Sequence, residues 1–152
     1  MAKYFVFSFP DDGAIARAAL DEERAPRTVA LLWARAPYSG TVGHAMHSGT
    51  SVALYIDPAI VLPVENATTQ IETADLMFMH YDAGTRHGYP EPLSEIFWAY
   101  DRYCRPTMPG MLVPVAPNIF GRFLPGSEAF FAVSARTRHE GRKRLEISAA
   151  TG

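Results

Sequence analysis

The chain has 152 residues, 48% of them hydrophobic and 20% charged, with 14 basic against 16 acidic side chains and a formal net charge of -2. That length is enough for a single domain, 1–152, that buries its own core without metal or disulfide staples. The near-balance of charge excludes a global field that would draw the protein to nucleic acid or to an anionic membrane, so neither is expected as a partner.

Cys104 is the one cysteine, which rules out an internal disulfide, suits a reducing cytoplasm and reads as a small apolar side chain. No stretch approaches the ~18 uninterrupted apolar residues of a membrane span. Pro10-Asp11-Asp12-Gly13 breaks the N-terminal apolar run too early for a signal core, and a cytoplasmic protein is expected.

Taken in chain order, the first element is a strand with Phe5, Phe7 and Phe9 on one face. Asp11-Asp12-Gly13 supplies a turn into a second strand, Ala14 to Leu20, giving an opening hairpin. Acidic Asp21-Glu22-Glu23 and then Pro26 precede Val29, Leu32, Trp33 and Ala36 at helical spacing, which predicts one principal α-helix over about 26–36, ended by Pro37. Strands are predicted near Val42 to Ser48, Val52 to Asp57, Leu76 to Tyr81, Glu95 to Tyr100 and Asn118 to Leu124, with Gly and Pro clusters between them. The bulky run Ile96-Phe97-Trp98, between Pro92 and Pro106, reads as a buried strand rather than a helix. Tyr81 to Leu93 is rich in Gly, Pro and aromatic residues and is long enough to cover a cleft.

At the C-terminal end, Val133 and Ala135 pair in pattern with Leu145 and Ile147. They share a face of a hairpin only if the loop has an odd number of residues, and His139-Glu140-Gly141 fits. That register sets Arg136 opposite Arg144 and Arg138 opposite Arg142, a four-arginine face to be neutralised by Glu128, Glu140 or Glu146, or used as a contact.

The chemistry-bearing residues are few. His44 and His47 stand three apart, a spacing that shares a metal on a helix but sends the two rings to opposite faces of a strand; with the other histidines scattered, no metal site is predicted. His44 reads either as a hydrogen-bonded barrel histidine or as a cleft residue that orients a ligand or moves a proton. Ser48-Gly49 lacks the elbow of a serine hydrolase and reads as a turn. Glu65-Asn66 follows Pro63 in a loop, where it either caps backbone groups or offers a carboxylate and an amide to a polar ligand. Asn118 and Arg122 bracket a strand, and a guanidinium there either grips a carboxylate bidentately or makes a surface ion pair. Trp98, Tyr100, Phe120 and Phe123 fill a barrel interior, with some left to line a cleft. No phosphate loop, dinucleotide fingerprint or paired-cysteine signature is present, so no cofactor is predicted.

Read in order, Ala25-Pro26-Arg27-Thr28-Val29-Ala30-Leu31-Leu32-Trp33, His44-Ala45-Met46-His47-Ser48-Gly49, Glu65-Asn66-Ala67-Thr68, Ser94-Glu95-Ile96-Phe97-Trp98-Ala99-Tyr100 and Asn118-Ile119-Phe120-Gly121-Arg122 resemble an uncharacterised family of short bacterial cyclophilin-like domains. The resemblance implies a mainly β fold, a cyclophilin-like closed or nearly closed β-barrel with the helix plugging one end. It does not carry prolyl isomerase activity, because the strand after the helix, Thr41-Val42-Gly43-His44-Ala45-Met46-His47, offers no arginine. Two positions depart from the family pattern. Ala74 precedes Asp75 where a glycine is common, and His47 replaces an aromatic side chain.

The leading expectation is a barrel that binds a small polar or carboxylate-bearing molecule in a cleft, with His44, His47, Glu65, Asn66, Tyr100, Asn118 and Arg122 as the candidate binding residues. The alternatives are an enzyme of amide or carboxylate metabolism with His44 as acid or base, a prolyl isomerase by fold analogy alone, and a homo-oligomeric interaction module using the arginine face or a strand edge.

Overall fold

The computed structural model describes residues 1–86, 89–107 and 113–152. Among them, strands β1 (Lys3–Phe9), β2 (Ala14–Leu20), β3 (Tyr38–His44), β4 (Ser51–Ile56), β5 (Asp75–Tyr81), β6 (Leu93–Ala99), β7 (Asn118–Phe123) and β8 (Lys143–Thr151) close into one antiparallel barrel. Around the barrel the order is β1, β2, β7, β5, β6, β4, β3, β8, and β8 returns to β1. Each described strand therefore has a partner on both sides, and the unpaired edge that an assembly module would offer is absent among the described residues. No helix among the described residues is long and apolar enough to cross a membrane.

The opening hairpin forms as its alternation dictates. Phe5, Phe7 and Phe9 are fully buried, and the turn closes with the N–H groups of Asp12 and Gly13 donating to Phe9 O. Helix α1 (Pro26–Arg35) and helix α2 (Glu128–Glu140) close the two ends. Trp33 of α1 stacks on Phe5 at 6.2 Å between ring centroids, and Phe130 of α2 stacks on Phe9 at 4.8 Å, so the helices sit at opposite ends of β1. Val29, Leu32, Phe130 and Val133 join the strands' inward residues in one core.

Helix α2 corrects the predicted last hairpin. Val133 and Ala135 alternate over only three residues, whereas buried Phe130, Val133, Ser134 and Thr137 recur at the 3.6-residue period, in an Ala- and Arg-rich segment of high helical propensity. Ser134 Oγ donates to Phe130 O and accepts the indole N–H of Trp98 at 3.0 Å, which locks the helix to β6. The four-arginine face does not exist: Arg136 pairs with Asp12 and Glu140, and Arg144 with Asp11. Strand β3 also differs from its prediction, running Tyr38–His44 rather than to Ser48. The chain turns back after His44, with Ala45 N–H donating to Ser51 O. Gly49 sits at φ +78°, where an added Cβ would lie 2.1 Å from Tyr103 O.

β6 is buried along its whole length, as its bulky run predicts. Ile96 and Trp98 face the core, while Phe97 and Ala99 join Met77 in a second apolar cluster on the outer wall, packed against Ile119 and Cys104. Burial there pushes the Cys104 thiol up to about 12, which keeps it protonated and unreactive.

Candidate functional site: a cleft on the outer wall of the barrel

A cleft of roughly 730 Å³ lies against the outward face of β3, β4 and β6. Its floor is set by strand alternation. Val42, Val52, Leu54, Ile96 and Trp98 point into the core, which turns Gly43, Ser51, Ala53, Tyr55, Glu95 and Phe97 outward. The small side chains among these leave the depression. The rim comes from the 44–49 turn, from Arg86 and Tyr89, from Pro106 and Thr107, and from the α2–β8 connection with Arg138 and Arg142. Arg86 and Tyr89 belong to the Tyr81 to Leu93 loop, whose His87 and Gly88 lie outside the described residues.

One end of the cleft is basic. His44 ends β3, and its Nδ1 lies 2.8 Å from Ala45 O, which only accepts; Nδ1 therefore carries the proton and Nε2 takes the Tyr100 hydroxyl at 2.6 Å. Tyr100's own pKa is raised, by burial first and against the pull of the nearby Arg138 guanidinium. His47 follows in the turn and is exposed. Because the strand stops at His44, both histidines line the same cleft instead of opposite faces of a strand. No group of three metal-ligating side chains is found among the described residues. Arg142 lays its stem near Gly43, within 3.7 Å of where a Cβ would stand.

The other end is aromatic and electrically neutral. The Arg86 guanidinium lies 5.2 to 5.3 Å from the ring centroids of Tyr55, Tyr81 and Tyr89, and its Nη1 donates to Glu95 Oε2 at 3.1 Å. Glu95 is buried, and burial pushes its carboxyl up against the pull of Arg86. Burial also raises the hydroxyls of Tyr55, to about 12, and of Tyr81, so these two phenols stay neutral.

The remaining predicted residues sit elsewhere, holding the chain together. Ala25 precedes α1 with no side chain to cap it, and Glu65 reaches in from a distant loop to accept the N–H groups of Arg27 and Thr28 at 3.2 and 2.9 Å. Asn118 accepts Glu65 N–H and donates to Thr28 Oγ1 and Pro63 O. Asn66, at φ +47°, donates to Ile119 O. Arg122 bonds Asp75 at 2.9 Å and Glu72 at 3.4 Å. None of these four lines the cleft. Burial raises Asp75's carboxyl despite hydrogen bonds from Glu72 N–H and Arg122.

Sequence reasoning missed Arg86 and Glu95, and set Arg138 and Arg142 on a hairpin face instead of at the cleft. The signal for Arg86 was an arginine placed between Tyr81 and Tyr89, and the signal for Glu95 was a lone acid inside an otherwise buried strand. A further constellation, Ser94 with His80 Nδ1 at 2.9 Å and His80 Nε2 with Asp82 at 3.2 Å, has the partners of a catalytic triad. Ser94 is fully buried, and its hydroxyl donates to Ile60 O, so it presents no nucleophile.

The chain belongs to the DUF3830 family, proteins of unknown function, which it matches over residues 7–149. No curated protein matches it. Its fold is similar to that of McbB in complex with tryptophan, at a TM-score of 0.64 and 18% identity over 95% of this chain. The match spans 44% of McbB, less than half of that protein's length. It is similar as well to the solution structure of the hypothetical protein AF2241 from Archaeoglobus fulgidus, at a TM-score of 0.63 and 19% identity over 98% of this chain and 95% of that one.

Proposed function

We propose that the protein binds a small carboxylate-bearing molecule in the outer-wall cleft, as a cyclophilin-like barrel without isomerase chemistry. The observation that carries this reading is a division among the basic side chains of the C-terminal region. Arg136, Lys143 and Arg144 are each paired with Asp11, Asp12 or Glu140, whereas Arg138 and Arg142, the two that line the cleft, have no carboxylate within 4.0 Å among the described residues. The only acid lining the cleft among the described residues is Glu95, whose charge is spent on Arg86. The cleft therefore carries a net positive field at the His44 end and holds unpartnered guanidinium forks of the kind that grip a carboxylate. McbB, which shares the fold, is in complex with an amino acid, and its ligand carries such a group.

Binding fits the geometry better than acid–base chemistry at His44. Both ring nitrogens of His44 are engaged, one by Ala45 O and one by Tyr100, so its part is to hold the cleft wall. Titration calorimetry of small carboxylic acids against their isosteric amides tests the reading. The acids are expected to bind at least ~10-fold tighter than the amides, with the preference abolished in R138Q/R142Q and the melting transition unchanged. Equal binding of acid and amide, or undiminished affinity in the folded double variant, overturns it.

A further inference from the structure

Resting on that reading, we propose that the carboxylate taken by the cleft is borne on an aromatic ring system, with the ring seated toward Tyr55 and Tyr89. The two ends of the cleft are set apart by strand register. His44 pairs with Val52, and Tyr55 on the same strand pairs with Glu95. Three residues of extended chain separate the two levels, about 10 Å at ~3.3 Å per residue. That is the reach of an aryl ring joined to a carboxylate through a short chain. Between the ends the floor is Ala53, whose methyl leaves room for a narrow linker.

The far end selects a ring rather than a second charge. Among the described residues a second carboxylate has no free cation to meet there, because the Arg86 charge is committed to Glu95 at 3.1 Å, and a cationic tail finds Glu95 already committed to Arg86. What the far end offers is π surface. Tyr55 and Tyr89 meet edge to face at 5.7 Å, and the guanidinium plane of Arg86 is held among the tyrosine rings, a neutral and polarisable lining against which another ring packs. Burial also keeps the Tyr55 hydroxyl protonated.

The experiment compares propionate, 3-cyclohexylpropionate and indole-3-propionate by titration calorimetry on the intact chain and on Y89L. We expect the indole acid to bind at least ~10-fold tighter than the cyclohexyl acid, and Y89L to erase that margin. In the unaltered protein, nuclear Overhauser contacts from the indole ring protons to Tyr55 and Tyr89 are the second readout, independent of whether Y89L folds. Equal affinity of the indole and cyclohexyl acids, or ring contacts elsewhere, overturns the aromatic assignment and leaves the anion site standing. Failure of all three acids to bind overturns both.

Discussion

The phenolic oxygen of Tyr100 lies 2.6 Å from Nε2 of His44, a ring 56 positions away in sequence whose tautomer is set on its other side by Ala45 O. Since Ala45 O holds the Nδ1 proton, nitrogen-15 spectra above neutral pH should show a pyrrole-like Nδ1 and a pyridine-like Nε2 for His44. In Tyr100→Phe the Nε2 resonance should shift while Nδ1 stays put. The opposite tautomer in the unaltered protein would rule out the Nδ1–H bond to Ala45 O and make Tyr100 the acceptor.

Arg86→Leu leaves the Glu95 carboxyl buried without its partner. Breaking such a pair costs about 3–5 kcal/mol. Glu95 is already raised by burial, and losing the guanidinium raises it further. A group whose folded-state pKa is raised contributes stability in acid that is lost as pH rises through that pKa. The deficit of Arg86→Leu in thermal melts should therefore be smaller at pH 5 than at pH 8. A deficit independent of pH would show that the carboxyl finds another partner.

Glu65 is shifted the other way. Slight burial pulls its carboxyl up, but hydrogen bonds from the Thr28 backbone and hydroxyl and from Arg27 N–H outweigh it, and the net pKa is lowered. Its capping of α1 is present above the ordinary glutamate range and is lost as pH falls through the depressed pKa. Glu65→Gln should cost about 1 kcal/mol at neutral pH, with the gap to the parent narrowing in acid. Because Glu65 lies outside the cleft, ligand affinity should not change.

Ala74 occupies φ +79°, with its N–H donating to Ala99 O and its carbonyl accepting from Phe123. A Cβ in that left-handed region costs about 1 kcal/mol, partly offset by the entropy a glycine would lose. Ala74→Gly is expected to stabilise the protein by about 0.5 kcal/mol, a rise in Tm of roughly 1–2 °C. A fall in Tm would mean that the Ala74 methyl, which packs against the core, is worth more than the strain.

The left-handed φ at position 74 is a backbone reason for a glycine there in this chain. Strand alternation is local and survives in sequence. Phe5, Phe7 and Phe9, the Ile96-Phe97-Trp98 run, and Val29 with Leu32 after Pro26 each announce their element because side-chain periods of 2 and 3.6 follow from backbone geometry alone. The same rule misled at α2, where two alternating residues mimicked a strand and the longer helical period from Phe130 to Thr137 went unread.

The site was legible only in part. His44 and His47 do line the cleft, but Glu65, Asn66 and Asn118, equally polar, spend their hydrogen bonds on α1, on backbone and on one another. Sequence states that a group is polar, not who satisfies it. Which arginines remain unpaired is decided by folding: with 128–140 a helix, Arg136 turns to Asp12 while Arg138 turns to the cleft, and Arg86 finds Glu95 only because β6 and the loop before it meet on the barrel's outer wall. Composition and alternation by themselves determined a β-rich fold with an opening hairpin and a helix after it. The partner of each charge, and hence the sign of the cleft, was a tertiary decision, because electrostatic pairing depends on distances that the fold alone creates.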